Sequence, residues 1–560
     1  MSGSNVNNIK WNRKDREPQD TIEKITYILR KLGIQYAIKK EHNDHMWYSV
    51  NIEIRQLPGF FSNGKGITKE YALASALGEM MERLQCGLLL DETFFANGNA
   101  DIKGNQDIGK DYKIYNYNEG IDSDQLMLLQ DFYERNPEYQ KLEPYYNLMD
   151  KNYYLLPHKL IHYICGSNGT CAGNTKEEAL CQGISELYER YVLRKIFFDD
   201  SFLEQVYTIS YEAIYGFSKD LLDYIKSREY EICIKDLTVG NSVPVLGLLV
   251  FNKKRTKYSF SIGSDIEIDI CLQRCITEMF QGEDFKFSFR HKMKEIWGRY
   301  SCKSVVWSDR EKSHEYTKAL VDKSGYLPIR FVLSEKERPD IPSVFKPIKT
   351  NKGAFEYHLS ICNKNGWDVL IKDFSWSGFP SYRVYIPKIS EAFYVPADNW
   401  LKGIEDIKDI KKSWLELNTC NAERKAELIA SIERVYSMER YRCNSVSANK
   451  LFGVIIDTDD IRYNYLRFFD ELLYALYWET GKIDKAFEML ESAILSGDLQ
   501  KRFMDNLSNA LNSSEKIESM ADKFVFPNCP ECSGCGIQNV CRYNEYKRIF
   551  EYMQDAMKGK

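Results

Sequence analysis

An α+β fold follows from three features of this sequence. Strand-like and helix-like segments mix without the regular alternation of a doubly wound sheet. An apolar helix ending in Glu-x-x-Glu-Arg is written twice, and strand signals stop at about Lys402. The expected architecture is a pair of pseudo-symmetric, helix-bearing halves followed by an all-helical extension. The 560 residues accommodate one large domain and one or two smaller ones. The boundaries read as an N-terminal segment (1–60) packing on the core, a main domain (61–400), a helical extension (401–525) and a cysteine-bearing tail (526–560).

Along the chain, residues 20–33 carry Ile and Leu at helical spacing, with Thr21 near the start and Gly33 as the stop. MWYSVNIEI, VPVLGLLVF, YLPIRFVLS, WDVLIKDF and YRVYIPKI read as strands. Helices are expected over 68–90, 175–198 and 267–282. Residues 460–500 suggest two helices joined at Thr480-Gly481, either a tetratricopeptide-type hairpin or a plain helical extension.

Composition is that of a globular chain, 44% hydrophobic and 28% charged. A net charge of −5 gives no general attraction to nucleic acid or to anionic membranes. No apolar run reaches the ~18 residues of a membrane span, and the N-terminus lacks a secretory core. Eleven of fifteen cysteines are scattered from Cys86 to Cys443, which suits free thiols in a reducing compartment. A cytoplasmic protein is the expectation.

The duplicated text carries the chemistry. Gly66-Ile-Thr-Lys-Glu-Tyr-Ala-Leu-Ala-Ser-Ala-Leu-Gly-Glu-Met-Met-Glu-Arg83 aligns with Gly173-Asn-Thr-Lys-Glu-Glu-Ala-Leu-Cys-Gln-Gly-Ile-Ser-Glu-Leu-Tyr-Glu-Arg190, and Ser-Asn-Gly precedes each copy. On a helix, Ser75, Glu79 and Glu82 share a face, as do Gln182, Glu186 and Glu189, with Arg83 and Arg190 beside them. A third segment places Arg274, Glu278 and Gln281 at the same spacing. A solvated helix end with a Glu79–Arg83 ion pair would explain one copy. Repetition favours a cluster of costly carboxylates, most simply ligands for hard metal ions, with arginines facing phosphate oxygens. Magnesium shares its shell with water and phosphates, so a magnesium–nucleotide site is inferred. The glycine-rich runs Ser62–Gly66 and Ser167–Gly173 lead into the two helix starts and could present N–H groups to an anion. Neither is a Walker or Rossmann loop.

Three stretches, NGKGITKEYALASALGEMMER, SNGTCAGNTKEEALCQGISELYERY and LQRCITEMFQG, resemble the YcaO family in family order. The likeness continues through WDVLIKDF, YRVYIPKIS and YVPADNW, covers most of residues 10–500, and is strongest to the stand-alone enterobacterial type. That type is linked to β-methylthiolation of a small-subunit ribosomal protein by a radical methylthiotransferase. The resemblance implies an ATP-binding fold in which carboxylates hold Mg2+ over the triphosphate. It also implies phosphorylation of a peptide or protein backbone amide oxygen, as in cyclodehydratases and thioamide synthetases. Carried over by position, Ser75, Glu79, Glu82, Asn174, Glu178, Gln182, Glu186, Glu189, Arg190, Arg274 and Glu278 match nucleotide and magnesium positions. Lys14 and Thr21 match a Lys and a hydroxyl residue that contact the nucleotide. Glu79, Glu82, Glu186 and Glu189, with Glu278, are the implied metal ligands, and Arg190 and Arg274 the triphosphate partners. A sulfur-transfer protein or a radical methylthiotransferase is the implied partner, and relatives of this kind commonly form homodimers. Two departures stand out: Cys171 replaces a hydroxyl residue, and MQDAMKGK replaces the proline-rich tail of azoline-forming members. The accessory or thiolation type is therefore preferred over a dedicated azoline synthetase. The rival reading is a nucleotide-binding accessory protein that recruits the radical enzyme without amide-activating turnover.

Cys529, Cys532, Cys535 and Cys541 have the spacing C-x2-C-x2-C-x5-C. Four thiolates suit a [4Fe-4S] cluster or a tetrahedral Zn2+, and the successive two-residue gaps favour the cluster.

Overall fold

The computed structural model describes residues 13–43, 47–55, 60–86, 113–114, 135, 142–238, 243–279, 293–296, 307, 309–321, 323–338, 340–391, 405–406, 409–410, 421–442, 473, 476–477 and 480–494. Contacts divide the chain into two units, one of residues 1–88, 106–119 and 139–394, the other of 89–105, 120–138 and 395–560. Among the described residues no helix is long and apolar enough to cross a membrane.

In the first unit, α1 (Pro18–Lys31) opens on a proline that presets its first turn and stops before Gly33, whose φ is 68°. β1 (Tyr36–Asn43), β2 (Tyr48–Ile54) and β3 (Phe61–Gly66) form an antiparallel sheet in that order. α2 (Lys69–Gln85) lies on it and buries Ala72, Ala76, Leu77, Met80, Met81 and Leu84. The run Ser62–Gly66, expected as an anion-facing turn, is thus a strand. Its glycines permit close packing, since a Cβ on Gly64 would stand 1.9 Å from Ala72 O.

The second half repeats the plan. β4 (Lys113–Ile114), β5 (Leu142–Asn147), β6 (Tyr153–Pro157), α3 (His158–Cys165) and β7 (Thr170–Ala172) lead into α4 (Lys176–Phe198). Next come α5 (Asp200–Glu204), β8 (Tyr207–Ile209), α6 (Phe217–Ser227), β9 (Tyr230–Asp236), β10 (Val245–Asn252), β11 (Lys257–Ser264) and α7 (Ile268–Met279). β12 (Lys294–Glu295), α8 (Asp309–Val321), α9 (Ile329–Leu333), β13 (Glu337–Arg338), α10 (Asn351–Lys364), β14 (Leu370–Asp373) and β15 (Ser381–Tyr385) complete the unit. Two six-stranded sheets result, ordered β12-β11-β10-β9-β8-β13 and β4-β6-β5-β14-β15-β7. α4 packs against strands of both, and Leu180, Ile184, Leu187, Tyr188 and Ile196 enter the main core.

One expected strand is a helix. Within YLPIRFVLS, Pro328 cannot donate to a sheet ladder, and its carbonyl instead accepts the Phe331 N–H (2.9 Å) and the Val332 N–H (3.2 Å), starting α9. So short an apolar run has no periodicity that separates strand from buried helix. The first expected helix ends earlier, α2 stopping at Gln85 with Cys86 as its cap, while α7 is described as far as Met279. Residues 87–90 and Gln281 lie outside the described residues.

His358 of α10 is fully buried against Tyr188, and neither of its ring nitrogens has a hydrogen-bond partner. Burial pushes its pKa from 6.5 down to about 4. The unfolded chain therefore binds the proton more readily between these values, so this residue's contribution to stability rises with pH across that window. Relative to His358→Leu, the wild type is expected to lose up to about 3 kcal/mol between pH 6.5 and pH 4. Urea unfolding of both proteins across that range checks it, and parallel pH profiles would refute it.

In the second unit, α11 (Ala422–Arg442) and α12 (Ile483–Ile494) are described. Glu433 of α11 accepts from Lys485 Nζ (2.9 Å) and from the Tyr477 hydroxyl, while Gly481 turns the chain at φ 73°. The turn expected at Thr480-Gly481 is present; most residues of the helix expected before it lie outside the described residues.

Candidate functional site

α2 and α4 begin alike. Thr68 and Thr175 sit at extended N-cap positions, and their hydroxyls accept from the Tyr71 and Glu178 N–H groups. The shared start sets a shared phase. Glu79 and Glu82 on α2 and Glu186 and Glu189 on α4 lie close enough for charge to act between the two helices, and Glu278 on α7 joins them through Lys65, which feels Glu79 and Glu189.

Each carboxylate has a distinct partner. Glu79 pairs with Arg83 at 2.5 Å, and Arg83 also donates to Phe61 O. Glu82 Oε1 lies 2.6 Å from the Thr170 hydroxyl, which donates either to it or to Ser167 O. Glu186 stands 3.8 Å from Arg190, whose guanidinium reaches Leu320 O. Glu189 accepts from Arg274 at 3.2 Å and from the Ser264 N–H at 2.8 Å. Glu278 is gripped by two ammonium groups, Lys65 on one oxygen and Lys323, at 2.5 Å, on the other.

The electrostatics are uneven. Burial, and next the Glu186 carboxylate, push Glu82 well above the usual carboxylate range. About a quarter of the Glu186 side chain is accessible, at 27%. Burial still raises it, and Glu189 and Glu79 add to the shift against the pull of Arg190. Arg274 is held charged against burial chiefly by Glu189. Burial, followed by Lys323 and Arg274, lowers Lys65 well below the usual lysine range.

The N-terminal arm closes the start of α4. The Lys14 ammonium lies 3.1 Å from Glu178 Oε1, and the Asp15 N–H donates to Oε2 at 3.0 Å. Thr21 donates to Asn174 Oδ1 at 2.9 Å, while Asn174 Nδ2 faces Glu178 at 3.2 Å. Although burial opposes it, Lys14 and the Asp15 N–H hold Glu178 below the usual carboxylate range. Arg13 anchors the arm through a two-oxygen grip on Asp265, 2.5 Å to each.

Most of the residues singled out in the sequence thus share one region. Ser75 is exposed on α2 and Gln182 is half-buried on α4, and neither engages the groups above. Cys171 turns its thiol to Tyr382 O (3.5 Å) and packs against Gly183; the hydroxyl at Glu82 comes from its neighbour, Thr170. Among the described residues no three acidic, histidine or cysteine side chains converge on one point, because each carboxylate is turned to its own partner. Cys529, Cys532, Cys535 and Cys541 lie outside the described residues. Sequence reasoning missed Lys65, Lys323, Thr170, Arg13 and Asp265. Lys65 and Thr170 each follow the Ser-Asn-Gly that precedes a duplicated stretch, which is the signal the sequence offers; the others carry none.

Residues 63–390 match a family described as YcaO cyclodehydratase, ATP- and Mg2+-binding. The chain is 27% identical over 411 residues to the ribosomal protein S12 methylthiotransferase accessory factor of Escherichia coli K12, covering 69% of this chain and 67% of that protein. Among solved structures it resembles a heterocyclase in complex with substrate and cofactor at 16% identity and a TM-score of 0.45, over 69% of this chain and 55% of that one. It also resembles a YcaO protein from Methanopyrus kandleri bound with AMPPCP and Mg2+ at 16% identity and a TM-score of 0.44, over 68% and 92% of the two chains. Overlaps that loose carry no residue or ligand across. The chain spans about two thirds of the Escherichia coli protein and just over half of the heterocyclase.

Proposed function

This chain belongs to the YcaO family, and from that premise we propose that it activates a backbone amide of a peptide or protein by O-phosphorylation with Mg-ATP. The activated amide would serve thioamide or azoline formation, or support ribosomal-protein methylthiolation. The supporting observation is the pair Glu82 and Glu186: burial and neighbouring carboxylates raise both, against the pull of Arg83 and Arg190, so their ionised forms are costly and a divalent cation would relieve that cost. In this reading Glu79, Glu82, Glu186, Glu189 and Glu278 hold Mg2+, which would neutralise triphosphate charge when bound. Arg190 and Arg274 orient phosphate oxygens. Lys14, Thr21, Asn174 and Glu178, with Ser75 and Gln182 along the same helices, contact the nucleotide.

The chemistry follows from leaving-group ability. A nucleophilic sulfur or hydroxyl adds to the amide carbon, the resulting oxyanion takes the γ-phosphoryl group with release of ADP, and inorganic phosphate departs as the carbon–oxygen bond breaks. Positioning and charge neutralisation supply the catalysis. Purified protein is expected to release phosphate from ATP only with Mg2+, and faster with an acceptor peptide. The Escherichia coli relative's name, an accessory factor, favours the second reading, a nucleotide-binding recruiter of a radical methylthiotransferase. Binding without peptide-stimulated turnover would select it. The C-terminal cysteines would bind a [4Fe-4S] cluster or Zn2+, which absorption spectroscopy and metal analysis of anaerobically purified protein separate.

A further inference from the structure

The two lysines on Glu278 come from different elements, meet different oxygens of it, and neither belongs to the carboxylate helices. Lys65 projects from β3, and Lys323 from the turn after α8. Lys323 is a non-glycine residue with φ 62°, an unfavourable conformation that points to a demand on its position. Its Nζ also bonds Glu278 O at 3.1 Å, so it reaches the last turn of α7. Lys65 lies within electrostatic reach of Lys323, Arg274, Glu189 and Glu79, which places it among the groups that would face a triphosphate.

Two ammonium groups on one carboxylate leave it no free oxygen. A divalent cation entering at Glu278 would compete with both lysines for those oxygens and repel their charge. A displaced ammonium group stays beside Glu189 and Arg274, only partly open to water, and a phosphate oxygen is the partner that a bound nucleotide would offer it. On the nucleotide reading above, we propose that Lys65 and Lys323 are the positioning residues for the terminal phosphate, exchanging Glu278 for γ-phosphate oxygens as the metal binds. Glu278 then serves as the resting counter-ion that keeps both lysines aimed at the site. The alternative is purely structural, with Lys323 capping the end of α7 and Lys65 filling its wall.

Calorimetric titration with Mg2+ and either ADP or a non-hydrolysable ATP analogue separates the two. The wild type is expected to prefer the triphosphate. In Lys65→Gln and in Lys323→Gln that preference is expected to fall by about tenfold, the worth of one charge-assisted contact, with ADP affinity nearly unchanged. Lys323 is exposed, so Lys323→Gln decides alone if Lys65→Gln fails to fold. Variants that keep the preference, or that lose ADP and triphosphate equally, would overturn this assignment and leave the nucleotide site standing. A wild type that binds neither nucleotide would overturn both.

Discussion

Glu186→Gln is expected to reduce peptide-stimulated ATP hydrolysis by ~10²–10³-fold, the loss typical when one preorganised electrostatic contact to the transition state is removed. The change is nearly isosteric and removes one negative charge from a crowded set, since Glu186 is raised by Glu189 and Glu79 as well as by burial. The ligand-free variant should therefore melt at the same temperature as the wild type or higher. Its rise in melting temperature with Mg2+ and ATP should shrink or vanish, because that rise reports ligand bound to the folded state alone. Thermal scans with and without nucleotide, beside a phosphate-release assay, test both halves. Undiminished turnover would mean that the cation is held elsewhere, and a collapse in ligand-free stability would mean that Glu186 is structural.

Gly64→Ala is expected to destabilise the protein by about 3 kcal/mol or more, at the upper end of overpacking effects. The new methyl would lie 1.9 Å from Ala72 O, 2.4 Å from Ala76 N and 2.8 Å from Ala76 Cβ. No flexible side chain is there to yield, so α2 must move off β3 and carry Glu79 and Glu82 with it. Gly78→Ala supplies the contrast on the same helix. Its Cβ would meet nothing within 4 Å, so the helix should gain roughly 0.5–1 kcal/mol. Denaturant melts that rank the two in the opposite order would refute the packing account.

What the chain made legible was local. The helices that carry Glu79, Glu82, Glu186 and Glu189 announce themselves by their apolar content, and repetition marks them as a pair. Ser62–Gly66 misled because glycine serves two ends: in sequence it looks like a turn, whereas here it lets a helix backbone approach a strand. YLPIRFVLS misled because nine residues around a proline are compatible with either regular structure. The grip of Arg13 on Asp265 spans 252 positions, and Lys323 meets Glu278 across 45. Nothing in residue order encodes which distant charges will meet; three-dimensional register decides that.

Cys86, Cys165, Cys171, Cys181, Cys233, Cys271, Cys275 and Cys362 are all buried and free of disulfides. Burial pushes up the thiols of Cys165, Cys171, Cys181, Cys271 and Cys362. An alkylating reagent would therefore find these sulfurs only when a segment opens, since the thiolate is the reactive form. Timed labelling followed by peptide mass mapping would read local opening around both repeat helices in the unmodified protein, with no engineered probe.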